Sequence, residues 1–215
     1  MTNELLLAIP TGDVDTVRRL VTEDPEMASA RDGSGLHVVL LALFNQQPEV
    51  AEVLLEADPE LGVLEAAGTG RADRLRELLD ADPESRHVRT SDGFTPLGIA
   101  AFLGGPDVVR VLLDHEADPD DDADNQFGVR PVNAAAAGGD HETMRLLLEA
   151  GADPDAQQQG GWTPLHAAAH NDDVEMARLL LEHGADASIK AEDGRDSAQL
   201  AADDGNTAVA ELLKG

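Results

Sequence analysis

The most constraining feature of this 215-residue chain is a short pattern that returns along almost its whole length. Each copy has an apolar residue, then a pair of small or apolar residues three and four positions later. A second pair, mostly leucine, follows fifteen and sixteen positions after the apolar residue. The apolar residues are Leu5, Val39, Val63, Leu97, Val132, Leu165 and Ala198, with spacings of 34, 24, 34, 35, 33 and 33. Such a period predicts a stack of small units, because neighbouring units must share the core that one unit cannot form alone.

The two pairs of each unit belong to two different helices. The first pair allows neighbouring first helices to approach closely, and the leucine pair fills the space between units. A glycine seven residues after the apolar residue separates the pairs in five units, and it can end the first helix in a left-handed conformation. These glycines are Gly12, Gly70, Gly104, Gly139 and Gly205, whereas Gln46 and Asp172 take the position in two other units.

Two turns and two unit endings relate this pattern to a known family. Residues 93–97 and 161–165 both read Gly-x-Thr-Pro-Leu, and His166 follows the second copy. Residues 151–153 and 184–186 both read Gly-Ala-Asp. The sequence resembles the ankyrin repeat family over nearly its whole length. This resemblance implies that each unit is a β-turn finger followed by two antiparallel helices, and that the units stack into an all-α solenoid with a concave face.

The departures from the family pattern predict where the stack is irregular. The first three units end in Asp-Pro-Glu, at residues 24–26, 58–60 and 82–84, and proline there stops the helix. The spacing of 24 is about one finger too short, so we expect only a tight turn near Leu61 and Gly62, within the connection 56–63. We expect one array over residues 1–215 with about seven units. The first and last units act as caps, and Lys214 replaces an inter-unit leucine in the last.

The charge of the chain excludes several classes of function. It has 43 acidic and 15 basic residues and a net charge of −28, which opposes nucleic-acid binding. Either a basic partner is attracted to an acidic face, or the acidity serves solubility or a salty, halophilic-like cytoplasm. The even spread of acids favours the second explanation. No cysteine is present for disulfides or thiolate ligands. No apolar run is long enough for a membrane span or a signal peptide, so we expect a cytoplasmic protein.

Two sets of side chains are weak candidates for metal ligands. His166 and His170 have the i, i+4 spacing of a zinc protease, but Ala167 occupies the place of the required glutamate and no third ligand is evident. The acidic run 120–124 alternates as in a calcium loop, yet Pro131 stands where the final glutamate would be. No nucleophile motif or phosphate-binding loop is present. We therefore expect no cofactor, no metal and no enzymatic activity.

The resemblance implies where a partner protein would bind. Partners of the family meet the finger tips and the first helices on the concave side. The fingers are expected over residues 89–95, 122–130, 157–163 and 190–196. Because exposed aromatic residues are favoured anchors at interfaces, the predicted contacts lie on units four to six. They are Phe94, Phe102, Leu103, Phe127, Gln158, Trp162, His170 and Asn171.

These observations predict a non-catalytic protein–protein interaction scaffold or adaptor that is monomeric in isolation. Two alternatives from other classes stay open. One is a structural subunit that associates with itself end to end through a poorly capped terminus. The other is a protein that binds a metal or a small ligand weakly, through the acidic run 120–125 or the histidine pair.

Overall fold

Pairs of short α-helices follow one another along the chain in the computed structural model, which describes residues 2–214. The pairs are α1 (Thr2–Thr11) with α2 (Val14–Glu23), α3 (Val38–Phe44) with α4 (Pro48–Glu56), α5 (Val63–Gly68) with α6 (Ala72–Ala81), α7 (Pro96–Ile99) with α8 (Pro106–Asp114), α9 (Pro131–Gly138) with α10 (His141–Glu149), α11 (Pro164–His170) with α12 (Val174–Glu182), and α13 (Ser197–Asp204) with α14 (Thr207–Leu212). The described residues form isolated β-bridges but no strands, which confirms the all-α prediction.

The helices begin where short polar side chains can bind the free amides of the first turn. Thr95 Oγ1 accepts a hydrogen bond from the amide of Gly98 at 3.0 Å, and Asp196 Oδ1 accepts one from Gln199 at 2.8 Å. Three of the second helices, α2, α10 and α12, use aspartate in the same way, as when Asp140 Oδ1 accepts from the Thr143 amide at 3.1 Å. Such caps define the helix start because the first amides of a helix have no partner within it.

Five tight turns, here called fingers 1 to 5, project in front of the first helices. They are finger 1 (residues 32–36), finger 2 (90–94), finger 3 (123–129), finger 4 (158–162) and finger 5 (191–195), each closed by a hydrogen bond from the amide of its first residue to the carbonyl of its last. Finger 3 is two residues longer than the others, in agreement with its longer spacing. The sequence reasoning had not singled out finger 1, although Asp32-Gly33-Ser34-Gly35 is a typical turn sequence.

The end of the first helix differs from the prediction in unit four. Gly12, Gly70, Gly139 and Gly205 have positive φ, as expected. In unit four the positive φ of 82° belongs to Gly105, because α7 continues as a π-helical segment over Ala100–Gly104. The Gly105 amide reaches back to the Ala100 carbonyl at 3.0 Å, one residue further than in an α-helix. Gly104 is thereby moved from the helix end into the contact with α5.

The three Asp-Pro-Glu sequences have two different structures. After α2 and α6, the prolines begin short 3₁₀ turns, Pro25–Ser29 and Pro83–His87. After α4, Asp58 takes a φ of 53°, and the chain runs directly to α5 through residues 57–62 without a finger. Units two and three are therefore joined by a short connection, whose length limits what can lie between fingers 1 and 2.

The buried apolar side chains form two clusters that meet at this connection. One cluster comprises residues from Leu5 to Leu54 on α1–α4, and the other comprises residues from Val63 to Ala210. Gly68 lies at their meeting point, where an added Cβ would be 2.5 Å from Leu40 Cδ2 and 3.0 Å from Ile99 Cγ2. The absence of a side chain at Gly68 thus allows the Leu40 and Ile99 side chains to pack closely against α5.

Candidate functional site

An apolar groove lies on the side of the first helices and fingers. It encloses about 410 Å³. Its walls come from fingers 1 to 4 and from α3, α7 with its π segment, and α9. We call this surface the apolar groove; it is lined by Leu36, Phe44, Thr90, Asp92, Phe94, Gly98, Ile99, Phe102, Val129, Asn133, Ala134, Ala137 and Gln158. A cavity of this size and chemistry is within the range of known binding sites.

Three phenylalanines line the apolar groove. Phe44 ends α3 and Phe94 closes finger 2, and their ring centroids are 6.4 Å apart in a tilted arrangement. Phe102 lies on the π segment and is 46% exposed. A large apolar side chain that stays this exposed in a small aromatic cluster is typical of an interaction surface, because burying it requires a partner.

Two polar side chains of the apolar groove, Asn133 and Thr90, are bound within the chain, whereas those of Asp92 and Gln158 have no hydrogen-bond partner within residues 2–214. Asn133 is buried and bridges the Arg130 amide at 3.1 Å and the Ala156 carbonyl at 2.8 Å. Thr90 Oγ1 accepts from the Phe94 amide at 3.0 Å. The exposed carboxylate of Asp92 has no ion pair or hydrogen bond within residues 2–214, so it is available to a ligand.

The structure brings some of the predicted contact residues together and separates others. Phe94, Phe102 and Gln158 all line the apolar groove. Leu103, the neighbour of Phe102, points instead into a cleft of about 230 Å³ between α4 and α5, beside Leu55. The residue after Phe102 projects to another side of the helix, so the predicted Phe102-Leu103 patch is divided between two surfaces.

The remaining predicted contacts lie farther along the stack. The Trp162 ring packs on His166 at 6.1 Å and on His170 at 5.8 Å between centroids, and His170 Nδ1 lies 2.8 Å from Asp204 Oδ2. Asn171 is the exposed C-cap of α11. Phe127 is 44% exposed at the tip of finger 3. Trp162, His166 and His170 thus form a separate cluster that does not line the apolar groove.

His166 has a structural role in the Thr-Pro-Leu-His turn. Its Nδ1 lies 2.8 Å from Thr163 Oγ1, and its Nε2 lies 3.3 Å from the carbonyl of Arg195 in the next finger. Burial lowers the pKa of His166, which favours the neutral ring that these contacts use. His166 therefore joins finger 5 to α11.

Sequence reasoning missed Leu36 and Phe44 as members of the site. Both belong to unit two, whereas the expected surface began at unit four. They reach the apolar groove because no finger lies between fingers 1 and 2. The short spacing of 24 is the sequence signal for this opening, because a missing finger leaves unit two exposed toward finger 2.

The candidate metal ligands are used in other ways. Asp120 Oδ1 accepts a hydrogen bond from the Asp153 amide at 3.0 Å, and Asp121 forms an ion pair with Arg89. In the part of the chain that the structure describes, no three His, Cys, Asp or Glu side chains converge as metal ligands. Over the same residues, no helix combines the length and the apolar character needed to cross a bilayer.

Paired helices, projecting β-turn fingers and a groove along the first helices define the chain as an α-helical repeat protein. Family models agree with this class. A model described as ankyrin repeats in three copies matches residues 132–215, and one described as an ankyrin repeat matches residues 92–125. The chain belongs to the ankyrin repeat family, whose members are generally non-catalytic and act in protein–protein interactions; no enzyme family is among these matches.

Curated proteins with related sequences share part of the chain. "Ankyrin repeat domain-containing protein 49" of Drosophila melanogaster is 33% identical over 32% of this chain and 35% of its own length. "Ankyrin repeat-containing protein ITN1" of Arabidopsis thaliana is 30% identical over 53% of this chain and 19% of its own length. "BCL-6 corepressor-like protein 1" of Homo sapiens is 35% identical over 47% of this chain and 6% of its own length. The matches thus span about a third or less of these relatives.

Proposed function

We propose that this chain is a non-catalytic binding module for another protein, and that the partner contacts the concave face and finger tips of units four to six. The observation that carries the proposal is the apolar groove with the half-exposed Phe102 beside Phe94. The predicted contacts Phe127, Trp162, His170 and Asn171 extend this surface along fingers 3 and 4 and α11.

The proposed mechanism is rigid presentation of side chains. Fingers 2 to 5 are joined by backbone hydrogen bonds, in which the amides of Asp124, Gln159 and Glu192 donate to the preceding finger at 3.3, 2.8 and 2.8 Å. A surface held in this way loses little conformational entropy when a partner binds. A usual specific contact covers about 800 Å² on one side, which is the size of a surface built from a few neighbouring units.

Affinity capture from the native lysate, at its own ionic strength, tests the proposal. The wild-type chain is compared with a Phe94→Ala/Phe102→Ala/Trp162→Ala variant. A matched control, Leu7→Ala/Val88→Ala, removes side chains that are 68% and 40% exposed outside the apolar groove. We expect a partner that the wild type and the control retain and that the triple variant loses.

The folded state of each variant is checked by circular dichroism before capture. Equal retention of the partner by the wild type and the folded triple variant would place the contact elsewhere and refute the proposed surface. A monomeric mass in solution counts against the alternative of end-to-end self-association.

A further inference from the structure

The backbone pairing between fingers is interrupted at one place, between fingers 1 and 2. In each of fingers 3 to 5, the backbone amide of the second residue donates a hydrogen bond to the finger before it. The equivalent amide of finger 2 is that of Ser91, and it has no hydrogen-bond partner within residues 2–214. The edge of finger 2 that carries the Ser91 amide is free because the finger that would precede unit three is absent from the sequence. A new row of paired fingers therefore begins at finger 2.

Finger 1 presents the complementary free edge. Gly93 of finger 2 accepts two hydrogen bonds at its carbonyl, from Arg89 at 3.0 Å and from the Asp124 amide at 3.3 Å. The equivalent carbonyl of finger 1, that of Gly35, accepts only from Arg31 at 3.0 Å. One acceptor position on finger 1 and one donor on finger 2 thus face the place of the missing finger.

A recess of about 290 Å³ lies between these two edges, and we call it the interfinger recess. Finger 1 lines one side with Gly35 and Leu36, and finger 2 lines the other with Thr90 and Ser91. Leu36 and Thr90 also line the apolar groove, so the two cavities adjoin. A chain segment placed between the fingers can therefore pair through its backbone and extend a side chain toward Phe44 and Phe94.

The charges around the interfinger recess favour a cationic segment. The two arginines beside it are already neutralised, since Arg31 pairs with Glu65 at 3.0 Å and Arg89 pairs with Asp121. Asp32 and Asp92, on the two fingers, have no ion-pair partner in the described chain. Hydrogen bonds from Ser34 lower the pKa of Asp32, which keeps its carboxylate ionised.

We propose that the interfinger recess binds an extended or β-turn segment of a partner protein, with one large apolar side chain flanked by lysine or arginine. The backbone of the segment pairs with the Gly35 carbonyl and the Ser91 amide, as a strand added to a free edge does. Its apolar side chain enters the apolar groove, and its basic side chains lie near Asp32 and Asp92. This inference rests on the proposed protein-binding function and names the chemistry of the partner.

A variant that fills the recess within the same chain gives the sharpest test. Residues 57–62 are replaced by a copy of residues 183–197, which restores the spacing from 24 to 33 and supplies a complete finger. The probe is a phage-displayed library of random peptides of about twelve residues, panned on the wild-type chain. We expect enriched peptides to carry Leu, Ile or Phe beside Lys or Arg, and to lose measurable binding to the filled variant.

A second variant keeps the test independent of whether the filled chain folds. Asp32→Asn/Asp92→Asn retains the acceptor atoms that Asp32 offers to its own turn but removes both charges. Loss of two partly exposed ion pairs should weaken peptide binding about five- to tenfold. The control, Asp15→Asn/Glu49→Gln, removes two exposed charges on α2 and α4 and should leave binding unchanged.

The outcomes separate this inference from the proposed function. Failure to enrich any peptide, or equal binding of the peptides to the wild-type and a folded filled chain, overturns the interfinger recess as a docking site. Unchanged binding to the Asp32→Asn/Asp92→Asn variant overturns the cationic chemistry. If the partner captured from lysate depends on Phe102 but also binds the folded filled chain, the proposed function stands and this inference is wrong.

Discussion

The change Gly104→Ala tests the close contact that the π segment creates between units three and four. An ideally placed Cβ at residue 104 would overlap the carbonyl oxygen of Ala67 and would lie 2.6 Å from Val108 Cγ2. The second distance alone is about 1 Å shorter than a normal carbon–carbon contact. Because the Ala67 oxygen belongs to the backbone of α5, the two units must separate or the helix must distort.

The expected change in the unfolding free energy of Gly104→Ala is the balance of two contributions. Overpacking of this kind costs about 1–3 kcal/mol, and alanine in place of helical glycine returns up to about 1 kcal/mol. Gly138→Ala is the matched control, since it makes the same substitution on a first helix but its nearest neighbour is 3.5 Å away. We expect Gly138→Ala to be neutral or slightly stabilising and Gly104→Ala to be destabilising, with a difference of about 1–3 kcal/mol.

Urea unfolding followed by circular dichroism at fixed KCl measures the difference. For a chain of this size, 1 kcal/mol corresponds to a shift of about 2–4 °C in Tm, so a thermal scan gives an independent value. Equal midpoints for Gly104→Ala and Gly138→Ala would refute the tight approach of α5 to the π segment. It would also remove the explanation for the displaced glycine conformation at Gly105.

Three further perturbations address the junction between units two and three, the buried histidines and the charge. Arg31→Ala leaves the Glu65 carboxylate, which is 2% exposed, without its cation, and should lower the unfolding free energy in urea by about 2 kcal/mol. This is below the roughly 3–5 kcal/mol lost from a fully buried pair, because Arg31 is half exposed. Arg76→Ala, on an exposed ion pair, should cost less than about 0.5 kcal/mol, and equal losses for the two variants would contradict this account. Burial lowers the pKa of His37 and of His166 in the folded chain, so the unfolding free energy is highest above the unfolded-state pKa of about 6.5 and falls as the pH drops below it. His37→Asn should therefore flatten the fall of Tm between about pH 7 and pH 5. An unchanged slope of Tm against pH would refute the contribution of His37. The net charge of −28 should make the unfolding free energy rise with KCl, and a flat KCl dependence would argue against self-repulsion.

The repeat spacing predicted most of the fold because each unit depends on local rules. Small residues such as Ala168 and Ala169 are buried where first helices meet, and Leu180 is buried between units, as their positions in the pattern required. Thr163, in the repeated Gly-x-Thr-Pro-Leu turn, caps α11 and shares a hydrogen bond with His166. These features repeat from unit to unit, so one well-matched unit is sufficient to interpret the others.

The candidate site was only partly predictable, because it depends on how unlike units meet. Phe94 and Phe102 were selected from the sequence as exposed aromatic and apolar residues, and both line the apolar groove. Leu36 and Phe44 were not, since their approach to Phe94 depends on the absence of a finger between them. The sequence predicts both Phe102 and Leu103 as contacts, but the two side chains face different cavities.

The sequence by itself determined the all-α repeat class, the helix pairs and the position of the shortened connection, because these follow from periodicity, caps and turn residues that act over a few positions. Only the tertiary structure decided that Gly105, and not Gly104, ends the first helix of unit four, and that Gly35 and Ser91 face each other across a recess. Both features depend on how residues more than 30 positions apart are placed, since Gly104 lies against Ala67 and Gly35 lines the same recess as Ser91. The packing of neighbouring units decides such contacts, and no local pattern specifies them.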